Sequence, residues 1–141
     1  MSKAYRISDD RQEMNLDVVY QYLTRSYWST GIPKETVKKA MDNSLCFAVF
    51  CGDDQVGFAR MVTDQATFAY LCDVFILEEH RGKGLSKKLM IYIKNYSELQ
   101  GLRRIMLVTR DAHELYKPFG FTEPNAPNLW MEISDPGIYQ T

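Results

Sequence analysis

The apolar positions of this chain fall into two rhythms, and the rhythm changes partway along. From Asn15 to Arg25, Leu16, Val19, Tyr20 and Leu23 recur at helical spacing, one face of an amphipathic helix. Ser26–Ile32 reads as a loop with two large aromatics, Tyr27 and Trp28. Pro33 suits a first helical position, so Lys34–Asn43 is predicted as a second helix. Then the period drops to that of strands. Leu45–Cys51 is wholly apolar and reads as a buried strand; Gly52-Asp53-Asp54 turns the chain, and Gln55–Val62 returns as its hairpin partner. Thr67–Leu77 is a long aromatic and β-branched strand. A helix follows from Leu85 to about Leu99, with Leu85, Leu89, Tyr92, Tyr96 and Leu99 on one face.

The ends are shorter. Ala4–Ile7 reads as a first strand and Arg104–Val108 as a fifth. Asp111 with Glu114 resembles a capping box for a short helix to about Phe119, closed by Gly120. Phe121 and Trp130–Ile133 suggest two last strands. Hairpins leading into one strand–helix–strand crossover give a mixed α/β class around one mostly antiparallel sheet. The 141 residues carry no repeat and no long linker, so one domain is expected over 1–141.

Composition narrows the function. There are 17 basic and 18 acidic residues, net −1, so a nucleic-acid-coating role is not expected. The longest apolar run, Leu45–Cys51, is far short of the roughly 20 residues a membrane-spanning helix needs. Met1–Asp10 is polar, without a signal-peptide core. Cys46, Cys51 and Cys72 are an odd count with no Cys-x-x-Cys pair, and His80 and His113 stand apart. Neither a disulfide framework nor a metal centre is expected, and the expected address is cytoplasmic.

The most informative segment is Arg81-Gly82-Lys83-Gly84-Leu85-Ser86, between the end of a strand and the start of a helix. Helix starts leave backbone N–H groups unpaired and favour anions, and glycines let the backbone approach a ligand closely. From His80 to Ser97 the chain carries Arg81, Lys83, Lys87, Lys88 and Lys94 and no acid. Together these describe a pyrophosphate cradle. The spacing is not that of a Walker A loop, and the position is not that of a dinucleotide fingerprint, which follows an early parallel strand. On glycines alone, the alternative is a plain loop followed by a solvated lysine face.

This segment, after Val74-Phe75-Ile76-Leu77, resembles the acyl-coenzyme A loop of the GNAT superfamily of N-acetyltransferases, whose pattern is Arg/Gln-x-x-Gly-x-Gly/Ala; Ser86 stands at the final small position. About 30 residues on, Ala112-His113-Glu114-Leu115-Tyr116 with Phe119-Gly120-Phe121 resembles the family's second signature, a Tyr shortly before Gly-Phe. The resemblance implies a sheet of six to seven strands, splayed between strands four and five and flanked by about four helices. It also implies acetyl-coenzyme A as co-substrate. The pantetheine arm would lie along Val74, Phe75 and Ile76, and the pyrophosphate on Gly82, Lys83, Gly84, Leu85, Ser86 and Lys87, with Arg81 beside them. Thr109, where the family often has Asn, and Ala112 would complete the coenzyme contacts. Dimers are common among the proteins it resembles, so a homodimer is one expectation.

Acetyl transfer to an amine needs a neutral amine, donors for the oxyanion and a proton for the departing thiolate. Tyr116 is the candidate acid, since a phenol with a pKa near 10 carries a proton at neutral pH; its alternative role is packing beside Leu115 and Phe119. Asp73 is the candidate base, a lone carboxylate in an apolar strand, on the face of Ala69, Leu71, Phe75 and Leu77 by alternation. Its alternative is an ion pair with Arg60 on the neighbouring strand, with solvent as base. The resemblance implies that Tyr27 and Trp28 help wall the acceptor side, their alternative being a core aromatic pair, and Arg60 is assigned to the same side. The resulting expectation is an N-acetyltransferase acting on a small-molecule or peptide amine by direct attack, with no metal, nucleic acid or membrane. The alternatives are a coenzyme A-sensing domain without turnover, transfer of another acyl group, and an interaction protein using the basic helix.

Overall fold

The computed structural model describes residues 4–140. Its strands are β1 (Tyr5–Ser8), β2 (Leu45–Cys51), β3 (Asp54–Thr63), β4 (Phe68–Ile76) and β5 (Arg104–Leu107). Its helices are α1 (Leu16–Leu23), α2 (Lys34–Asp42), α3 (Leu85–Lys94) and the short α4 (His113–Tyr116). The strands form one sheet in chain order, β1-β2-β3-β4-β5. The first four are antiparallel; β4 and β5 are parallel, because α3 carries the chain back across the sheet between them.

β2 explains why the sheet is covered on both sides. All seven of its residues are apolar. Phe47 and Val49 enter a core with Leu85, Leu89, Met90 and Ile93 of α3. Cys46, Ala48 and Phe50 enter a second core with Val19 and Leu23 of α1 and Val37 and Met41 of α2. A strand buried on both faces reads as a continuous apolar run rather than an alternating one. α1 starts at Asn15, whose side-chain oxygen accepts from the Val18 N–H at 3.2 Å. Gly57 of β3 has no room for a side chain: a Cβ there would lie 2.7 Å from Ile76 Cδ1 and 3.1 Å from Val49.

β4 does not keep one phase. Phe58 pairs with Phe75 and Arg60 with Cys72, so Ala59 of β3 stands opposite two residues of β4, Asp73 and Val74. This is a β-bulge, and Asp73 takes a φ of +56° within it. Before the bulge, Ala69 and Leu71 point into the α3-side core; after it, Phe75 points into the α1/α2-side core. The extra residue inverts the parity, so the expectation that Asp73 shares one face with Ala69, Leu71 and Phe75 fails.

Four further expectations are corrected. The sheet has five strands rather than six to seven. Phe121 and Trp130–Ile133 form no strand; three prolines (124, 127, 136) punctuate this stretch, and the Trp130 ring lies against the Arg104 guanidinium, 4.8 Å from its centroid. The helix expected to reach Leu99 ends at Lys94, with Leu99 in a separate turn, Ser97–Leu99; Tyr92, Tyr96 and Leu99 still pack against the α3-side core. Asp111 does not cap α4: the Ala112 N–H donates to Thr109 Oγ1 at 3.0 Å, so Thr109 orders this turn. Among the described residues, no helix is long and apolar enough to cross a membrane.

Candidate active site

β4 and β5 pair only from Phe68–Leu71 to Arg104–Leu107. Beyond Leu71, β4 runs on to Ile76 while β5 stops, and the two part. The Leu77 N–H donates to Val56 O at 2.8 Å, toward β3. By antiparallel alternation, Phe75 also turns its backbone to β3, whereas Val74 and Ile76 turn theirs into the opening. A cavity of about 730 Å³ lies at the parting, bounded by Tyr27, Trp28, Tyr70, Asp73, Arg110 and Tyr116 among others. The two catalytic candidates, Asp73 and Tyr116, thus border one space, together with Tyr27, Trp28, Thr109 and Ala112. Arg60 is not part of its lining.

Asp73 has both carboxylate oxygens engaged. Trp28 Nε1 donates to Oδ1 at 2.9 Å, and Arg60 Nε donates to Oδ2 at 2.8 Å. Arg60 also donates to Ser44 Oγ at 3.1 Å. The pair is largely withdrawn from water, with side-chain exposures of 8% for Asp73 and 19% for Arg60. The expected partner on the neighbouring strand is therefore in place, and Trp28 joins it from the loop after α1. Trp28 also packs edge-on against Tyr27, at 5.0 Å between centroids.

Tyr116 is buried, and its ring meets Phe121 edge-on at 5.9 Å. This contact places the Tyr of the second signature against the Phe of its Gly-Phe. Burial raises the Tyr116 phenol above its ordinary pKa, and neighbouring Tyr27 adds to the effect. The neutral, proton-bearing form is thus the stable one at neutral pH. Cys72, which also borders the cavity, is pushed up to about 12 by burial and by Asp73. A thiol so rarely ionised is a poor nucleophile.

At the other end of the parting, Gly82 and Gly84 take φ of +78° and +75°, and a Cβ on either would meet nothing within 4 Å. Space is open above the turn. Gly84 is the N-cap of α3 without a side-chain cap, and the first turn of α3 holds no acid. The first N–H groups of α3 (Leu85, Ser86, Lys87) therefore face an anion-favouring space. Lys83 leans over the Tyr5 ring at 5.8 Å. Arg81 is turned back: its Nε donates to Ile76 O at 2.9 Å and its terminal nitrogen to the Tyr22 hydroxyl at 3.0 Å.

Tyr22 escaped the sequence reading. Its ring stacks on Phe75 at 4.0 Å and 9°, and its hydroxyl takes the Arg81 bond, so α1 is fastened to both the parted strand and the glycine turn. Arg110 escaped it too; its guanidinium lies 3.8 Å from the Tyr27 ring centroid. No spacing marks either residue. Among the described residues, no group of three His, Cys, Asp or Glu side chains could hold a metal ion.

Residues 11–121 match the model of the acetyltransferase (GNAT) family. The chain is 33% identical over 135 residues to an acetyltransferase-named protein of Gibberella zeae, covering 79% of this chain and 75% of that one. It superposes on the crystal structure of a GNAT-family protein from Xanthomonas campestris pv. campestris with a TM-score of 0.96, 44% identity and full coverage of both chains. An acetyltransferase from Clostridium acetobutylicum, solved with acetyl-coenzyme A, shares the fold at a TM-score of 0.66 and 15% identity, over 93% of this chain and 95% of that one.

Proposed function

The chain belongs to the GNAT acetyltransferase family, and from that premise we propose that it transfers the acetyl group of acetyl-coenzyme A directly to a primary amine. The observation that carries this reading is the open edge of β4 leading straight to a glycine turn at the start of α3. The residues present fit the co-substrate. Val74 offers its backbone N–H and C=O to an extended arm, and Ile76 its N–H, since the Ile76 carbonyl already accepts from Arg81 Nε. Gly82 and Gly84 keep the approach to the helix start clear, and Lys83 and Lys87 add positive charge for phosphates. Thr109 keeps its hydroxyl proton to donate while its oxygen accepts from Ala112.

Acetyl-coenzyme A supplies an activated thioester carbonyl. The chain's own groups orient the reactants and manage protons. As the N–C bond forms and the C–S bond breaks, the Tyr116 hydroxyl gives its proton to the departing sulfur. Asp73 serves as a positioning residue: its engaged oxygens hold Trp28 against the cavity and steady the bulge, and the proton of the amine leaves to solvent. Cys72, kept protonated by burial, takes no acyl group, consistent with direct transfer.

The acceptor side is aromatic, with Tyr22, Tyr27, Trp28 and Tyr70; its charged residues are Arg25 and Arg110 against Asp73 and Asp111, and Asp73 is already neutralised by Arg60. This balance favours an amine that also carries a carboxylate or phosphate over a polyamine. The test is a thiol-release assay with acetyl-coenzyme A over amino acids, amino sugar phosphates and polyamines. Release with acid-bearing amines is expected. Coenzyme binding without release for any amine would favour the sensing domain, and absence of both would overturn the reading.

A further inference from the structure

Two loops meet at the cavity, and one pair of side chains joins them. Tyr27 belongs to the loop after α1, and Arg110 to the turn between β5 and α4. The Arg110 guanidinium lies 3.8 Å from the Tyr27 ring centroid, close enough for a cation stacked on a π face. Neither loop is loose. Ser26 Oγ donates to Leu23 O at 2.7 Å and accepts from the Ser29 N–H at 3.1 Å, so the backbone on both sides of Tyr27 is tied down. On the facing side the Ala112 N–H closes on Thr109 Oγ1 at 3.0 Å, and Arg110 sits inside that turn.

What this contact leaves free matters as much as what it makes. Arg60, Arg81 and Arg25 are each committed elsewhere. Arg60 bonds Asp73 and Ser44. Arg81 bonds Ile76 O and the Tyr22 hydroxyl, and Arg25 Nε donates to Gln21 O at 2.8 Å. Arg110 makes no hydrogen bond and no ion pair among the described residues. A guanidinium this close over a ring uses its flat face, and its N–H donors, which lie in the plane, stay available as a fork. The carboxylates of the cavity do not fill that fork. Asp73 is spent on Arg60 and Trp28, and no ion pair joins Arg110 to neighbouring Asp111 among the described residues.

A cation held in one orientation, with its fork empty, borders the space in which the acceptor would lie. Planar oxyanions match such a fork with two parallel, charge-assisted hydrogen bonds. We propose that Arg110 selects the acceptor: its fork takes a carboxylate or phosphate of the substrate, Tyr27 holds the guanidinium in place for it, and the amine of the same substrate is thereby set toward the thioester. This rests on acetyl transfer as the reaction and adds the residue that reads the acceptor. Tyr27 neighbours Tyr116 as well, so the anchor and the proton donor share one wall. Lysine would not serve equally, because an ammonium is a point charge that neither stacks on the ring in this way nor presents a fork.

The test compares matched amines on the full chain with saturating acetyl-coenzyme A: amino acids against their amides, and phosphoethanolamine against ethanolamine. For the acid-bearing member, Arg110→Gln should raise the acceptor KM about 10- to 100-fold, the size of a charge-assisted hydrogen bond, with a much smaller change in kcat. The uncharged member should show no such shift, and the acid with the larger shift, carboxylate or phosphate, is the group that is read. Arg110→Lys should recover only part of the loss. Arg110 is exposed, so the circular dichroism of both variants should stay native. An equal KM shift for both members of a pair would make the Arg110–Tyr27 contact a structural latch and overturn the proposal, and full recovery by Arg110→Lys would overturn the fork. Calorimetric titration of the same amines into the chain with coenzyme A bound needs no turnover. Acid-bearing amines that bind the wild type and not Arg110→Gln, without thiol release, would support this site and refute acetyl transfer. A wild type that binds them no better than their uncharged partners would refute the site whatever the thiol assay shows.

Discussion

The two halves of β4 obey different rules. From Phe68 to Leu71 the strand has a neighbour on each side, β3 and β5, and its inward residues Ala69 and Leu71 fill one core. From Asp73 to Ile76 it has β3 alone, its phase is inverted, and its free edge borders the cavity. One strand is thus scaffold for half its length and an open edge for the rest. The change happens at a single residue with a left-handed φ and a doubly bonded carboxylate. Backbone strain of this kind costs on the order of 1–3 kcal/mol and persists only where the surroundings hold it; here Arg60 and Trp28 do the holding.

The contrast can be broken most sharply at that carboxylate. Asp73→Ala leaves the buried Arg60 uncompensated, and removing one member of such a pair costs about 3–5 kcal/mol. A chemical denaturation midpoint should fall accordingly. An unchanged midpoint would mean that the bulge stands without the pair. Next in size, Tyr116→Phe should lower turnover by about 10²–10⁴-fold while coenzyme affinity stays within error. Equal turnover would return Tyr116 to packing. Because burial raises the Tyr116 pKa, the proton-bearing form persists to higher pH. The wild-type rate should therefore hold on the alkaline side past the ordinary phenol range, and the Phe variant should lack that limb.

Smaller effects sharpen the boundary. Trp28→Phe removes one hydrogen bond to a carboxylate, worth about 1.5–3 kcal/mol in general. Trp28 is 40% exposed, so water replaces part of that bond and the low end is expected. On the proposed assignment of Trp28 to the acceptor side, the effect on the acceptor KM should exceed that on coenzyme affinity. The smallest concerns Cys72, the residue before the bulge. With its thiol pushed up to about 12, mass-spectrometric mapping after iodoacetamide at neutral pH should find it labelled far more slowly than a free thiol. Rapid labelling would mean that the parting exposes more of β4 than its burial indicates.

Periodicity foretold the parts whose partners lie nearby. β2, β3 and α3 were legible because unbroken apolar runs and an i, i+4 stripe have few other ways to be buried, and the glycine turn because an acid-free basic stretch at a helix start is chemically distinctive. Alternation failed at Asp73 because nothing in the letters around it marks an inserted residue; a lone acid in an apolar strand is also what an ordinary ion pair looks like. Trp130–Ile133 has strand composition without a strand, since composition describes a wish to pair and names no partner. Tyr22 lies off the main apolar face of α1, so its stacking on Phe75 and its bond to Arg81 exist only once α1 is folded against β4. Asp111 looked like a cap, but Thr109 occupies the geometry that a cap requires.

The parting of β4 and β5 has a consequence in time as well as in space. It follows from one extra residue in β4 and from a β5 that ends early. A slot that stands ready before its ligand arrives charges no reorganisation at the moment of encounter. Arrival of the coenzyme should then be governed by diffusion and charge rather than by waiting for the sheet to open.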